Sequence, residues 1–318
     1  MASIERKAVV VAGSLNYDFI LKAERLPQKG ETMAARDVQF CSGGKGANQA
    51  VQCARLGLET YMAGAVGRDH MGDDLLESLE RYHVDTRFVK KDRNSSTGLG
   101  FVHALEDGGV FATIVRGANY TVSKEDIDLL RPLLRQAGML LLQLEIPTDV
   151  VEYAVEAARE CGCKVLLNAA PAAPLREEAL SGCDLLVLNE VEAGFYTGQK
   201  LETPEDARKH MPAFAQRIGT TCIVTLGKNG AVLCENGEIS HYPAYDAVAV
   251  ETTGAGDSFV GGVAYGVLSG LPLTEAMAFA SCCSGVTITG VGAQPSMPAL
   301  SEVQPLLERY RRQVADTR

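Results

Sequence analysis

A repeated change of period constrains this chain more than any other feature. Runs of β-branched and aliphatic residues at 7–12, 60–66, 139–144, 164–167, 184–188 and 222–226 are apolar almost without interruption. The segments between them, at 46–56, 71–82, 147–160 and 204–218, space their apolar residues at helical intervals. A strand with no polar alternation is solvated on neither face, as in a parallel sheet covered on both sides. Alternation of such strands with helices predicts an α/β fold, a doubly wound and mostly parallel sheet with helices on both faces. The last third reads as helices at 254–269, 273–289 and 301–314. Two stretches, about 15–41 and 95–116, break the rhythm with short alternating strands and turn signals at Pro27–Gly30 and Asp107–Gly109. They predict a small β-sheet beside the main one. A sheet of that size buries little by itself, so it should cover a ligand cleft as a lid or pack on a second subunit.

Charge and cysteine usage exclude several functions. With 30 Lys+Arg against 40 Asp+Glu, the formal net charge is −10, the wrong sign for a general nucleic-acid or anionic-membrane binder. An anionic ligand must then be held locally, by backbone amides, a few cations or a metal. Nine cysteines, an odd number with Cys161 close to Cys163 and Cys282 next to Cys283, read as reduced apolar filler rather than a disulfide framework. Zinc is not expected, because Cys161 and Cys163 lack a second paired cluster. His70, His83, His103, His210 and His241 are scattered without ligand spacing. The first residues lack the apolar run of a signal peptide and no stretch approaches a bilayer span, so the chain is expected to be cytoplasmic.

Five segments offer chemistry. In Glu251-Thr252-Thr253-Gly254-Ala255-Gly256-Asp257-Ser258, small residues open a helix whose N–H groups could approach an anion. Asp257 suits anion binding poorly but suits a base that takes a proton from a hydroxyl during phosphoryl transfer; alone, it is also an ordinary first-turn helix acid. Ser42-Gly43-Gly44-Lys45-Gly46-Ala47-Asn48-Gln49 leads into another helix and offers Lys45 and Asn48 as donors to a polyol or anion. It is not a P-loop. Asn16 and Asp18, two apart in an extended segment, share a side and could grip sugar hydroxyls, or form an Asx turn. Glu145 ends a predicted parallel strand, where α/β ligands usually bind. Asn189 and Glu192 share a helix face, as a metal–water network or as a capping box. Thr225 and Gly227 could present a hydroxyl and an amide to phosphates, while Asn229-Gly230 reads as a turn.

Gly43 through Ala50 resembles the first signature of the ribokinase family of carbohydrate kinases, and Thr252 through Asp257 its second. Asn189 to Glu192 matches the family's N-x-x-E element. Gly117-Ala118-Asn119, Gln143-Leu144-Glu145 and Gly292-Ala293-Gln294-Pro295-Ser296 resemble further family segments. The matches run in order along nearly the whole chain. The resemblance implies one α/β domain over 1–318, with the lid at 15–41 and 95–116 also forming a homodimer contact. It implies ATP- and Mg²⁺-dependent phosphorylation of a sugar's primary hydroxyl, D-ribose O5 being the expected acceptor.

By the same resemblance Asp257 is the base, with Gly254, Ala255 and Gly256 as the anion hole. Asn16, Asp18, Gly44, Lys45, Asn48 and Glu145 hold the sugar. Asn189, Thr225, Gly227, Lys228, Gly230 and Gly256 contact ATP, and Glu192 organises Mg²⁺ through water. An activating K⁺ is implied beside Glu251, Thr253, Thr287, Gly290, Gly292 and Ser296. Glu251 departs from the Asp usual there, and its extra methylene shifts the carboxylate that an ion would meet. Asn168-Ala169-Ala170-Pro171 departs from the usual Asn-Pro-Ala-Pro. Arg116 is unusual, either a lid surface charge or a reach toward an acidic substrate. Alternatives are a kinase for another small sugar, a sugar acid or a nucleoside, and a sugar-responsive binding protein without catalysis.

Overall fold

The unbroken apolar runs do become the central strands of one large sheet. The computed structural model describes residues 7–106 and 110–316, so the expected turn at Asp107–Gly109 lies outside the described residues. In chain order the elements begin β1 (Val9–Ala12), β2 (Asn16–Ala23), β3 (Asp37–Gly43), α1 (Lys45–Arg55), β4 (Thr60–Gly67), α2 (His70–Arg81), β5 (Asp85–Asp92), β6 (Gly98–Leu105) and β7 (Val110–Val115). After a 3₁₀ turn (Gly117–Thr121) come α3 (Lys124–Leu134), β8 (Met139–Leu142), α4 (Thr148–Glu160), β9 (Lys164–Asn168), α5 (Glu177–Ser181), β10 (Leu185–Leu188), α6 (Glu190–Thr197) and α7 (Pro204–Ile218). The chain continues through β11 (Thr221–Thr225), β12 (Ala231–Glu235), β13 (Glu238–Tyr242), α8 (Ala255–Leu268), α9 (Leu273–Thr287), α10 (Ala293–Ser296) and α11 (Leu300–Asp316).

The large sheet has the order β13-β12-β11-β10-β9-β8-β1-β4-β5. Its pairs are parallel except β11–β12 and β12–β13. Alternate residues of its strands enter two different cores, as strand pleating requires. Val10, Leu140, Leu167 and Leu186 pack with Leu130, Val151 and Met211 of α3, α4 and α7. Val9, Val11, Leu141 and Ile223 pack with Val51, Leu75, Val260 and Met277 of α1, α2, α8 and α9. Both faces are thus dry, which is why these strands could afford no polar alternation.

The two irregular stretches combine into a second sheet of order β3-β2-β6-β7, antiparallel except for the parallel pair β2–β6. Gln28 and Glu31 close a turn where the prolines and glycines predict one. Pairing of Tyr17 with Ser42 and Leu99, and of Phe19 with Phe40 and Phe101, assigns the aromatics to one face. The Phe19 ring lies 5.2 Å from Phe101 and 5.3 Å from Phe40. Asn16 and Asp18 fall on the opposite face. The aromatic face is open to solvent: Phe40 is 56% exposed and Phe111 51%. Arg116 stacks on the exposed Tyr120 ring at 4.1 Å, which accounts for it as a surface charge.

Two elements differ from the expectation. β5 is half-buried and charged at the sheet edge, so its DTRFVKKD stretch carries no apolar run. α3 carries Pro132 inside it and only three buried positions, a weak periodic signal. The antiparallel strands β12 and β13 supply the hairpin expected after 222–226 and close the sheet in a sense opposite to its parallel strands, a feature the strand–helix alternation alone does not give. The nine cysteines are free thiols, and among the described residues no helix is long and apolar enough to cross a membrane.

Candidate active site

The carboxyl ends of β1, β8, β9, β10 and β11 point to the same edge of the parallel sheet, and the starts of α1 and α8 meet them there. That edge is where open α/β sheets bind ligands. Residues 13–16 follow β1, Gln143 and Glu145 follow β8, Asn168 ends β9, Asn189 follows β10 and Thr225 ends β11.

Asp257 lies in the first turn of α8 and is 7% exposed. Its Oδ2 accepts a hydrogen bond from Asn48 Nδ2 and its Oδ1 one from Gln49 Nε2, each at 3.0 Å. Both donors come from α1, whose N-cap is Gly44 with φ +89°. A side chain at residue 44 would also meet the Asn16 backbone nitrogen at 2.7 Å, so only glycine lets α1 start against β2. Gly254, the N-cap of α8, is left-handed as well. The Ala255 amide donates to Thr252 O at 3.2 Å within the turn.

Asp18 projects from β2 into a slot between Gly43 and Gly100, where an added Cβ would stand 2.0 and 2.1 Å from its carboxylate oxygens. Burial, and then the charges of Glu145 and Asp257, push its pKa up to about 7. Glu145 accepts from the Ser14 hydroxyl and from the Lys45 amide at 3.3 Å. Burial pulls the Lys45 ammonium down, but Asp257, Glu145 and Glu192 outweigh that and leave its pKa raised, so it stays charged at neutral pH. One cation thus stands among several acids.

Asn189 and Glu192 do form a capping box: Asn189 Oδ1 accepts from Val191 N and Glu192 N at 2.9 Å, and Glu192 accepts from Asn189 N at 2.7 Å. They also line a cavity of about 230 Å³ with Lys45, Gly254, Gly256 and Asp257. Burial raises the Glu192 carboxyl, against the Asn189 bonds and the Lys45 charge that lower it. A larger cleft of about 890 Å³ adjoins, its wall including Thr225, Gly227, Lys228, Gly230 and Gly256, with Tyr245 and Phe259 as apolar surface. Thr225, Thr252 and Gly256 line both. The cleft lies within the size range of small-molecule and cofactor sites.

Asn16, Asp18, Gly44 and Glu145 line neither cavity; they stand on the other side of Asp257, under the small sheet. Of the residues expected around K⁺, Glu251 Oε2 accepts from Gly292 N at 2.9 Å, Gly290 abuts Ser296, and Ser296 Oγ donates to Val291 O at 3.1 Å. The Thr287 hydroxyl donates to Cys283 O at 3.0 Å in its own helix and lies 2.7 Å from Ser258 Oγ. Thr253 is exposed. Among the described residues no three His, Cys, Asp or Glu side chains gather as a metal site.

Sequence reasoning leaves several contributors without a role. Asn119, buried in the 3₁₀ turn, accepts from Leu15 N at 2.9 Å and donates to Leu15 O and to Asn16 Oδ1, the last at 2.8 Å. That turns the Asn16 amide nitrogen away toward the site. Gln294 Nε2 donates to Asn48 Oδ1 at 3.1 Å. The motif containing each residue is visible in the sequence, but nothing there reports pairings across 103 and 246 positions.

Known proteins resemble this chain along most of its length. The profile described as "pfkB family carbohydrate kinase" matches residues 6–300. A ribokinase of Schizosaccharomyces pombe is 36% identical over 307 residues, spanning 93% of this chain and 96% of its own. A deoxyribokinase of Salmonella typhi is 34% identical, spanning 94% and 98%. The structure of Arabidopsis thaliana ribokinase complexed with ribose and ATP superimposes with a TM-score of 0.87 at 33% identity, covering 95% of this chain and 99% of that one.

Proposed function

Because this chain belongs to the pfkB family of carbohydrate kinases, we propose that it transfers the terminal phosphoryl group of ATP to O5 of D-ribose, giving D-ribose 5-phosphate and ADP. One observation carries the reading: a carboxylate at the start of a helix, Asp257, lines a small cavity that opens on a nucleotide-sized cleft, with further acids and amides on its other side. The ribokinase relatives, one of them bound to ribose and ATP, name the acceptor.

Ribose enters beneath the small sheet. The carboxylates of Asp18 and Glu145 accept its hydroxyl protons, Asn16 and Asn48 add amide contacts, and Gly44 lets the sugar approach the backbone. ATP occupies the larger cleft, with Thr225, Gly227, Lys228 and Gly230 along it and Asn189 at its inner end. Asp257 takes the proton from O5 as the O5–P bond forms and the bond from phosphorus to the ADP oxygen breaks; the proton then leaves to solvent. The amides of Gly254 and Gly256, with Lys45, face the charge on the moving group; the Ala255 amide joins them only by leaving its turn bond to Thr252 O. Bound Mg²⁺, held through water by Glu192, would neutralise phosphate charge. The loop around Glu251 and Gly290–Ser296 would hold K⁺ next to the anion hole.

The small sheet acts as a lid whose exposed aromatic face pairs with the same face of a second copy, making a homodimer. The nine free thiols agree with a cytoplasmic location. The deoxyribokinase relatives favour 2-deoxy-D-ribose as a second acceptor. Coupled ADP release over D-ribose, 2-deoxy-D-ribose, sugar acids and nucleosides tests these choices. Asp257→Asn should lower turnover by ~10²–10⁴; a folded variant within a few-fold of wild type would refute the base. Saturable ribose binding without ADP release from any acceptor would favour a binding protein instead.

A further inference from the structure

The base is held by more than its sugar-side neighbours. Gln49 is fully buried and lines neither cavity. Its Nε2 donates at 3.0 Å both to Asp257 Oδ1 and to Asn168 Oδ1. Its Oε1 accepts from Gln143 Nε2 at 2.6 Å. Gln143 Oε1 is buried with no hydrogen-bond partner, pressed against Gly13, where any Cβ would fall 1.9 Å from it.

The direction of this chain of amides follows from one charge. An ionised carboxylate only accepts, so Gln49 must offer Asp257 its nitrogen. Its oxygen then faces Gln143, which must offer a nitrogen in turn, and the leftover oxygen of Gln143 is stranded. Reversing Gln143 would move its oxygen against the Gln49 oxygen, setting two acceptors together at that link. A buried acceptor without a partner is uncommon, and here it is what remains when Gln143 and Gln49 each point a donor toward Asp257, while Asn168, which accepts from Gln49, turns its own donor to Val187 O.

We propose that Gln49 is a positioning residue for the phosphoryl-transfer base, with Gln143 fixing the sense of its amide. Asn48 anchors Oδ2 and Gln49 anchors Oδ1, so the plane of the carboxylate is set from both ends. Gln49 itself is fully buried and offers no surface to solvent. The proposal rests on the reading of Asp257 as base and adds a second pair of residues to it.

Gln49→Met keeps the side chain's length while removing both donors and the acceptor. Measured on the intact chain with D-ribose and ATP, kcat should fall about 10- to 100-fold while both KM values stay within about threefold. Gln143→Met should give the same pattern at roughly 3- to 10-fold. Wild-type kcat in a folded Gln49→Met, or a loss confined to KM, overturns the proposal. If Gln49→Met does not fold, Gln143→Met decides: unchanged kcat overturns it. An active Asp257→Asn would sink the base reading itself, whereas an inactive Asp257→Asn beside a wild-type-like Gln49→Met sinks only the role of Gln49.

Discussion

Asp18 should cost the empty protein stability, and removing its charge should reveal how much. Burial, with Glu145 and Asp257 nearby, lifts its carboxyl from the ordinary 3.8 to about 7. At about 1.4 kcal/mol per pKa unit, keeping it ionised above neutrality costs up to about 4 kcal/mol; water reaching this half-buried side chain reduces that to about 2. The sign follows from linkage. The folded pKa lies above the unfolded one, so the wild type loses stability as pH rises from about 4 to about 7 and then levels off. Asp18→Asn mimics the protonated form and escapes the loss. Without ligand at pH 8 it should melt about 3 °C higher than wild type, at the unfolding entropy expected for 318 residues. By pH 5 most of that advantage should be gone. Thermal melts at the two pH values, with calorimetric titration of D-ribose, make the test: affinity should collapse in the variant that is more stable. No gain at pH 8, or an equal gain at pH 5, would show that ionisation is not the source.

Other perturbations separate the remaining roles. Glu192→Gln should raise the Mg²⁺ concentration for half-maximal activity and lower kcat about tenfold; an unchanged Mg²⁺ titration removes Glu192 from the metal–water network. Replacing potassium by sodium should depress turnover several-fold, and equal rates in both salts would remove the ion from beside Glu251. Phe40→Asp sets a charge in the exposed aromatic face and should convert dimer to monomer in light scattering; an unchanged mass sends the subunit contact elsewhere. D-ribose should bind more tightly at pH 8 than at pH 6, because an ionised Asp18 accepts hydroxyl hydrogen bonds at both oxygens and more strongly than its protonated form; calorimetry showing flat affinity across that range would exclude it as a charged acceptor.

What the sequence discloses tracks what local physics can encode. α7 matches the expected 204–218 because Thr203 caps it, Pro204 opens it and the left-handed Gly219 closes it. The parallel strands are legible because burial on both faces strips them of polar residues. β5 and α3 escape because one lies charged at an edge and the other interrupts its period with Pro132. In the site, the two glycine-framed signatures stand out, since close backbone approach needs particular residue types at fixed spacing. The links from Gln143 to Gln49 and from Asn119 to Asn16 leave no such trace. A buried amide obeys a partner far away in the chain, and glutamine and asparagine look alike whether they face solvent or a carboxylate.

The four-stranded sheet has one further consequence. It is stitched from two excursions of the chain, so the backbone passes between the sheets four times: before β2, after β3, before β6 and after β7. Gly13, Gly43 with Gly44, Gly98 and Gly117 stand at those passages. A plate moored at four points along one side has a single soft coordinate, a tilt about that line of moorings; sliding and twisting would stretch covalent chain. Asp18 rides on the plate while Asp257 stays with the base of the molecule, so each tilt would change the gap between the acid proposed to grip the sugar and the acid proposed to deprotonate it.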